Sequence, residues 1–421
     1  MQHLRCLPNE RTNCAIHISD CTQSVHTSTR HHRVVSLLFF RFTMIQAVSY
    51  FILLVISFFK RKSHILYFVC VSFLWLIASF TTGNADEQIY QSRYNEYQLW
   101  EDNTEYLYMA LIKACNALGL TYQAFKCVSA FIVLTLISCT ILRFAARPVL
   151  TLLLYAVYPF PIDVAQMRNC LATSVFIFGM GFLLGDMQDG DDQGRLLTKN
   201  DILYCLCIFI ATMIHTAAFF WIIILVAKKF NTKWAAIFTF VFCLLFSTIM
   251  TPRFISSLSG LFGSNDRIYA YTTTGYDLTR DYLLPYTLQR FAIFFITSSV
   301  ILLITNVSSM RMPEAQRKEY TFYFKITILT LCILPIMINY TPEIYRMQTG
   351  LSLIFYMIIL NIISGETTSS TNDAILRFLI PLLLLVFCFV NAHPLYISGD
   401  NLKTVFMPIF ENNTFFNSIG Q

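Results

Sequence analysis

A short polar segment interrupts the apolar sequence and carries residue types suited to phosphate chemistry. It occupies residues 158–169 and reads YPFPIDVAQMRN. Pro161 suits the first position of a helix, Asp163 then falls in its first turn, and Gln166 is expected on the same face as Asp163. A helix N-terminus beside Arg168 would suit a diphosphate, because backbone N–H groups and a guanidinium both bind phosphate oxygens. The alternative, in which Asp163 only caps the helix and Arg168 reaches lipid headgroups, stays equally open.

A histidine inside an apolar run is a second candidate. His215 lies midway along 202–226, between Thr212 and Thr216. Histidine is suited to general-base catalysis because the reference pKa of an imidazole lies near neutral pH. On spacing alone, a hydrogen-bonding role between helices is the favoured alternative.

An acidic segment at residues 83–120 supplies carboxylates. Asp86 directly follows an apolar run and precedes Tyr90, and Glu105 and Tyr108 open an amphipathic stretch. Carboxylates here are suited to binding sugar hydroxyls or to acting as a base. Most acidic residues of the segment are expected to be solvated, with Asp86 and Glu105 as the exceptions.

Three ionisable residues in the second half of the chain complete the candidates. Arg290 lies just inside an apolar run, and Glu343 and Arg346 are three residues apart at a predicted helix start. A structural ion pair between Glu343 and Arg346 is the default expectation. A phosphate clamp completed by Arg168 is the alternative.

Composition places these residues in a membrane protein. Of 421 residues, 56% are apolar and 13% are charged, whereas a soluble domain carries about 25% charged residues. The apolar runs are too long for the strands of a transmembrane barrel. Soluble enzymes, collagen-like rods and disordered chains are therefore excluded, and the sequence predicts an all-α polytopic transmembrane bundle. The net charge of +6 is typical of topology determinants rather than of a nucleic-acid-binding surface.

The bundle is expected to contain 10–11 spans of roughly 20 residues. The predicted spans are 45–59, 65–82, 121–142, 149–160, 165–184, 202–226, 233–250, 287–305, 321–339, 344–364 and 375–391. The run at 149–160 is short and ends in prolines, which predicts a broken or half-length helix. Residues 1–43 are expected to be a spurious or disordered extension, and 44–421 a single membrane domain.

Basic residues predict which loops face the cytoplasm. Lys60 to Lys62 place the first loop inside, so that 83–120 lies outside. The rule fails after residue 185, because Lys228 and Lys229 would fall outside. Either 149–160 is re-entrant or one later run does not cross, and both remain open.

Together these motifs resemble the EpsG family of bacterial polysaccharide-biosynthesis membrane proteins, which are related in role to Wzy O-antigen polymerases. The most specific part is Y-P-F followed by D-x2-Q-x-R-N-x2-A, accompanied by D-x3-Y-x3-Y, E-x-L-Y, H-T-A and a late Arg. The motif residues are Tyr158, Pro159, Phe160, Asp163, Gln166, Arg168, Asn169, Ala172, Asp86, Tyr90, Tyr94, Glu105, Leu107, Tyr108, His215, Thr216, Ala217 and Arg346. The resemblance extends from about residue 44 to the end, and Tyr106 departs from a proline common in the family.

The resemblance implies a metal-independent polymerase of undecaprenyl-diphosphate-linked oligosaccharides at the outer face of the bacterial inner membrane, serving O-antigen, capsule or exopolysaccharide synthesis. The expected catalytic residues are Asp163, Arg168, His215 and Asp86. The expected substrate-binding residues are Gln166, Tyr90, Glu105, Tyr108, Arg290, Glu343 and Arg346. No cofactor is expected, since arginines can carry the diphosphate charge. The expected partners are the lipid bilayer and lipid-linked glycans, with a flippase and a chain-length regulator as further candidates, and no nucleic acid.

Two other functions remain open. A multi-span glycosyltransferase that uses a polyprenyl-phosphate donor would place an acidic pair in its first outer loop, as Asp86 and Glu87 do. A flippase or other transporter of lipid-linked glycans would show paired broken helices, of which the sequence predicts one.

Overall fold

The computed structural model describes most of the chain after residue 62. The described ranges are 63–100, 105–189, 197–249, 275–308, 314–340, 342–364, 371–397 and 402–419, with isolated positions between 49 and 56. The predicted extension 1–43 and nearly all of the predicted span 45–59 lie outside the described residues.

Helices form almost all of the described chain, and within these ranges there is no β-strand. The α-helices are α1 His64–Phe80, α2 Glu87–Asn95, α3 Tyr106–Ala117, α4 Tyr122–Phe144, α5 Pro148–Val157, α6 Phe160–Ala165, α7 Met167–Asp189, α8 Lys199–Ile214, α9 Ile224–Lys229, α10 Thr232–Thr248, α11 Gly275–Ser308, α12 Glu314–Leu329, α13 Ile333–Asn339, α14 Arg346–Thr349, α15 Ser352–Ser364, α16 Thr371–Ile397, α17 Met407–Glu411 and α18 Thr414–Ile419. The predicted all-α class is confirmed.

Several helices have the length and apolarity of membrane spans. In the described part of the chain, five segments are long and apolar enough to cross a bilayer: Tyr122–Phe144, Met167–Met187, Leu283–Asn306, Gln316–Asn339 and Pro342–Ser364. Shorter apolar helices add to the bundle, and α15 lies at its centre with nearly every side chain buried. The protein is therefore a polytopic helical membrane protein.

The predicted broken helix near 149–160 is confirmed. α5 stops at Val157 after ten residues, and α6 has only six. Pro159 and Pro161 lack the backbone N–H groups that would continue the hydrogen-bond ladder of α5. A second interruption at Gln166, where φ is −118° and ψ is 58°, separates α6 from α7.

The predicted single span 202–226 is a hairpin, so the prediction of one crossing was wrong. α8 ends before His215, whose backbone is extended with φ −148° and ψ 114°. A 3₁₀ helix, Thr216–Ile223, and then α9 return alongside α8. The hydroxyl of Tyr204 donates to the carbonyl oxygen of Trp221 at 2.6 Å and ties the two legs together. Hydropathy cannot register this reversal, because the residues on both sides of the turn, within 202–227, are mostly apolar.

A buried group of charges joins the two ends of the hairpin. The Lys228 side chain is fully buried and contacts the carboxylates of Asp186 and Asp201. Lys229 also pairs with Asp201, at 2.6 Å, and Thr198 caps α8 and donates to Asp186 at 2.7 Å. We call these five residues the lysine cluster. Lys228 and Lys229 thus lie at the same end of the bundle as Asp186, which removes the conflict with the basic-residue rule.

Close helix packing holds α7 against α8. A Cβ atom added at Gly179 would lie 2.8 Å from the Cβ of Cys207, so the missing side chain permits this approach. Small residues serve the same purpose in other membrane helix pairs. The stacked rings of Phe176 and Trp221, 4.1 Å apart, fix α7 against the returning leg. The position of the first residues of α7 relative to His215 is therefore set by packing.

Candidate functional site

Glu105 is the centre of a charged cluster near the end of the bundle opposite the lysine cluster. Its side chain is 1% exposed. One carboxylate oxygen accepts a hydrogen bond from Arg168 Nη1 at 2.5 Å and lies 3.9 Å from Arg93 Nη1. The other oxygen lies 3.0 Å from His215 Nδ1. We call Arg93, Glu105, Arg168 and His215 the glutamate centre.

Each member of the glutamate centre comes from the end of a helix. Glu105 precedes α3, Arg93 is in the last turn of α2, and Arg168 is in the first turn of α7. His215 lies at the turn of the hairpin, not midway along a span as predicted. At 1.5 Å per residue, Arg168 is about 27 Å from Asp186 along α7, close to the thickness of a hydrocarbon core. The helix breaks therefore converge near one membrane surface.

The contacts of Glu105 set the state of the histidine. A buried carboxylate needs compensating partners, and Arg168 and Arg93 supply positive charge. A carboxylate accepts only, so the 3.0 Å contact assigns the proton of neutral His215 to Nδ1. The other ring nitrogen, Nε2, is then an acceptor, and the ring is 20% exposed. A carboxylate that orients an imidazole in this way prepares a general base.

Asp86 and Tyr90 lie beside the glutamate centre. Burial raises the pKa of Asp86 above its usual range, although the positive charges of Arg346 and Arg168 oppose the shift. Burial also raises the pKa of Tyr90 to about 12, so its phenol is neutral near pH 7. Buried Tyr108 lies close to Arg168 and Arg93, and its hydroxyl has no hydrogen-bond partner among the described residues.

Asp86→Asn is expected to raise the thermal stability of the protein near pH 7.5 and to leave it unchanged near pH 4. Because the pKa of Asp86 is higher in the folded state than in the unfolded state, ionisation of this carboxyl lowers the free energy of unfolding. The loss begins as the pH rises past the unfolded-state pKa and is complete once the pH exceeds the folded-state pKa. The amide carries no such penalty. Thermal unfolding of both proteins in lipid nanodiscs across this pH range checks the prediction. A stability gain at acidic pH, absent at neutral pH, would contradict it.

A second cluster lies on α11 and before α15, around a cavity of about 590 Å³ including its mouth. Arg290 Nη1 donates to the hydroxyls of Tyr286 and Tyr345 at 3.1 and 3.0 Å. Arg346 and Glu343 form the predicted pair at 3.5 Å. We call this space the arginine cavity.

Polar atoms of the arginine cavity are left without partners among the described residues. They are Nη2 of Arg290, Nε of Arg346 and Oε1 of Gln166, all of them buried. Buried guanidinium N–H groups that lack acceptors are costly, and an anion would satisfy them. The cavity is therefore suited to phosphate groups.

Asp163 does not join either cluster. Its carboxylate is 5% exposed, accepts a hydrogen bond from the Tyr155 hydroxyl at 2.9 Å, and lines a third cavity. The expectation that Asp163 and Gln166 share a helix face is wrong, because the helix breaks at Gln166. Gln166 instead lines the arginine cavity.

Three residues of these clusters are not among the site residues predicted from the sequence. Arg93 reaches Glu105, and Tyr286 and Tyr345 hold Arg290. One available signal was the spacing of Arg93, three residues after Tyr90 and so on the same face of α2. The tyrosines gave no comparable signal, since tyrosine is abundant in this chain.

The clusters contain no metal-binding arrangement. Within the described ranges, no three His, Cys, Asp or Glu side chains come together as metal ligands would. In comparisons with known proteins, the model of the EpsG family matches residues 64–399, and no curated protein and no solved structure matches. The matched range includes every residue of the glutamate centre and of the arginine cavity named above.

Proposed function

Because the chain belongs to the EpsG family, we propose that it polymerises undecaprenyl-diphosphate-linked oligosaccharide repeat units at the outer face of the bacterial inner membrane. The observation that carries the proposal is an oriented histidine in the glutamate centre together with unpartnered guanidinium N–H groups in the arginine cavity. Asp86 lies close to both groups, because the positive charges of Arg168 and Arg346 both act to lower its pKa. A base beside an anion site is what transfer of a glycan from a diphosphate requires.

The reaction joins two lipid-linked glycans. A hydroxyl at the non-reducing end of one attacks the anomeric carbon of the other and forms a new C–O bond. The bond from that carbon to the diphosphate oxygen breaks, and its electron pair leaves with the lipid diphosphate. His215 Nε2 takes the hydroxyl proton while Glu105 stabilises the resulting imidazolium. Arg290 and Arg346 hold the charge that develops on the diphosphate.

The remaining candidates support these groups. Arg168 donates to the Glu105 carboxylate and holds it in place beside His215. Gln166 and Glu343 line the arginine cavity and contact the lipid-linked donor there. Asp86 is a second carboxylate beside the attacking hydroxyl, and Tyr90 and Tyr108 offer neutral hydroxyls to the glycan.

The alternative of a single-sugar transferase loses its main feature in the fold. That reading needs Asp86 and Glu87 as an acidic pair, yet Glu87 is bound to Lys126 at 2.8 Å. The transporter alternative gains an observation, since the break at His215 provides a second interrupted segment. Product analysis separates the three functions.

The test uses the purified full chain in nanodiscs and lipid-linked repeat units extracted from cells that lack it. We expect a ladder of polymer on a gel that grows with time. One shifted band would instead show single-sugar transfer. Unchanged product, together with movement of the repeat units across the membrane of reconstituted vesicles, would show a transporter and overturn the proposal.

Arg290→Lys is expected to raise the KM for the lipid-linked donor at least tenfold, with a smaller change in kcat. Lysine keeps the charge but loses the planar fork that bonds two oxygens at once. Hydrogen bonds to charged groups contribute about 1.5–3 kcal/mol, which corresponds to this range. Initial rates measured against donor concentration provide the check, and exposed Arg317→Lys is the matched control. A KM within twofold of the native value would remove Arg290 from the donor site.

A further inference from the structure

Apart from Tyr90, the residues that line the cavity containing Asp163 have no role in the steps above. The cavity has a volume of about 580 Å³ including the open space at its mouth. One face of α4 forms a wall, with Tyr122, Lys126, Ser129 and Val133 at helical spacing, and α6 forms the opposite wall. The lining residues of α4 extend from Tyr122 to Leu134, which is about 18 Å along the helix axis.

Polar groups lie deep inside this cavity. Ser129 is completely buried, and its hydroxyl has no hydrogen-bond partner in the described part of the chain. The buried Asp163 carboxylate has one hydrogen bond, from Tyr155, and can accept more. At the mouth, Asn84 contributes a buried amide oxygen that also lacks a partner among the described residues. A ligand that fits must therefore offer hydrogen bonds well below the surface.

The charges of the lining exclude other ligand classes. Lys126 donates to Glu87 at 2.8 Å and to the carbonyl oxygen of Thr81 at 2.6 Å, so its charge is already paired. A phosphate group in this cavity would therefore meet no cation, among the described residues that line it, that is free to pair with it. An isoprenoid tail would leave Ser129 and Asp163 without partners against hydrocarbon, which is costly.

The apolar part of the lining favours a ring-shaped ligand. The aromatic side chains of Tyr90, Tyr122 and Phe160 line the cavity alongside Ala130 and Val133. Aromatic rings combine an apolar face with, in tyrosine, a polar tip. A sugar ring matches this lining, since it has apolar C–H faces and a rim of hydroxyls.

The cavity adjoins the glutamate centre. Tyr90 lines it, and the backbone of Arg168 lies against the Tyr90 hydroxyl. α6 separates it from the arginine cavity, with Asp163 facing one side and Gln166 lining the other. A glycan bound in this cavity would therefore lie on one side of α6, and the phosphate groups in the arginine cavity would lie on the other.

We infer that the Asp163 cavity binds an uncharged sugar residue of the acceptor glycan. The inference rests on the proposed polymerase function, and it assigns the acceptor and the donor diphosphate to opposite sides of α6. Asp163 and Ser129 bind sugar hydroxyls, and the aromatic rings pack on the sugar faces.

Binding measurements with two probes test this assignment. The first is the oligosaccharide released from lipid-linked repeat units by mild acid and labelled with tritium at its reducing end. The second is farnesyl diphosphate, which has a diphosphate and a short tail but no sugar. Equilibrium dialysis of the full chain in nanodiscs is expected to show at least tenfold weaker oligosaccharide binding by Asp163→Asn and weaker binding by Ser129→Ala. Farnesyl diphosphate binding stays native in both variants, which also shows that they fold.

Two further variants make the test independent of a single substitution. Ala130→Leu fills the cavity without touching a polar atom and is expected to lower oligosaccharide binding alone. Arg290→Lys is expected to lower farnesyl diphosphate binding alone. If Ala130→Leu weakens farnesyl diphosphate binding and spares the oligosaccharide, the cavity holds an isoprenoid tail and the inference is wrong. Native oligosaccharide binding by Asp163→Asn and Ala130→Leu would also overturn it.

The outcome is separable from that of the polymerase proposal. If the native chain makes no polymer but binds the oligosaccharide through Asp163, the polymerase proposal fails and the sugar site stands. If the native chain polymerises and Asp163→Asn binds the oligosaccharide normally, only the sugar site fails.

Discussion

Glu105→Gln is expected to lower the rate of glycan polymerisation by about 10²- to 10⁴-fold, the usual contribution of a general base. The two oxygens of Glu105 face donors on both sides, Arg168 Nη1 and His215 Nδ1. Glutamine has one acceptor oxygen, so its NH2 group must face one of these donors. Either His215 loses its orientation or Arg168 loses its partner. The steady-state rate of polymer formation in nanodiscs measures the loss.

A matched substitution controls for the change in charge. Glu96 is exposed and lies outside the centre, so Glu96→Gln is expected to polymerise at the native rate. A Glu105→Gln rate within a few-fold of native would exclude the glutamate centre from catalysis.

Lys228→Met is expected to destabilise the protein by about 3–5 kcal/mol, the usual cost of removing one partner from a buried ion pair. The lysine is fully buried between Asp186 and Asp201, and methionine has similar volume but no charge. Lys229 still reaches Asp201, at 2.6 Å, but Asp186 loses its cation. Denaturant titration in mixed micelles measures the free energy of unfolding.

Two comparisons distinguish charge from packing in this result. Lys233 is exposed just beyond the hairpin, so Lys233→Met is expected to leave stability unchanged. Adding Asp186→Asn to Lys228→Met removes the orphaned charge and should restore part of the loss. Equal stabilities for the single and double variants would show that the loss comes from altered packing and not from the unpaired charge of Asp186.

The sequence identified members of the glutamate centre but not their assembly. Glu105 stood out as a carboxylate beside an amphipathic stretch, and His215 as an imidazole in an apolar run. Their 3.0 Å contact joins residues 110 positions apart, and no local pattern encodes such a pairing. Proline chemistry, by contrast, is local, and for that reason the break after α5 was predictable.

Other features depended on tertiary contacts. The reversal at His215 is fixed by Tyr204, Trp221 and the lysine cluster, while the residues around the turn are as apolar as those of a straight span. The separation of Asp163 from Gln166 likewise follows from a local break that hydropathy and spacing did not reveal. The sequence therefore allowed functional residues to be selected, but it did not reveal where the chain turns or in which direction their side chains point.

The reversal at His215 also decides the orientation of the second half of the chain. A hairpin adds an even number of passes, so each later helix runs opposite to the direction obtained by counting 202–226 as one. Arg346 and Arg168 lie at the same end of the bundle, since the positive charges of both act on the pKa of Asp86. With the segment straightened, Arg346 would lie on the far side of a hydrocarbon layer about 30 Å thick. One extended residue thus helps to place charged groups from both halves of the protein at the same end of the bundle.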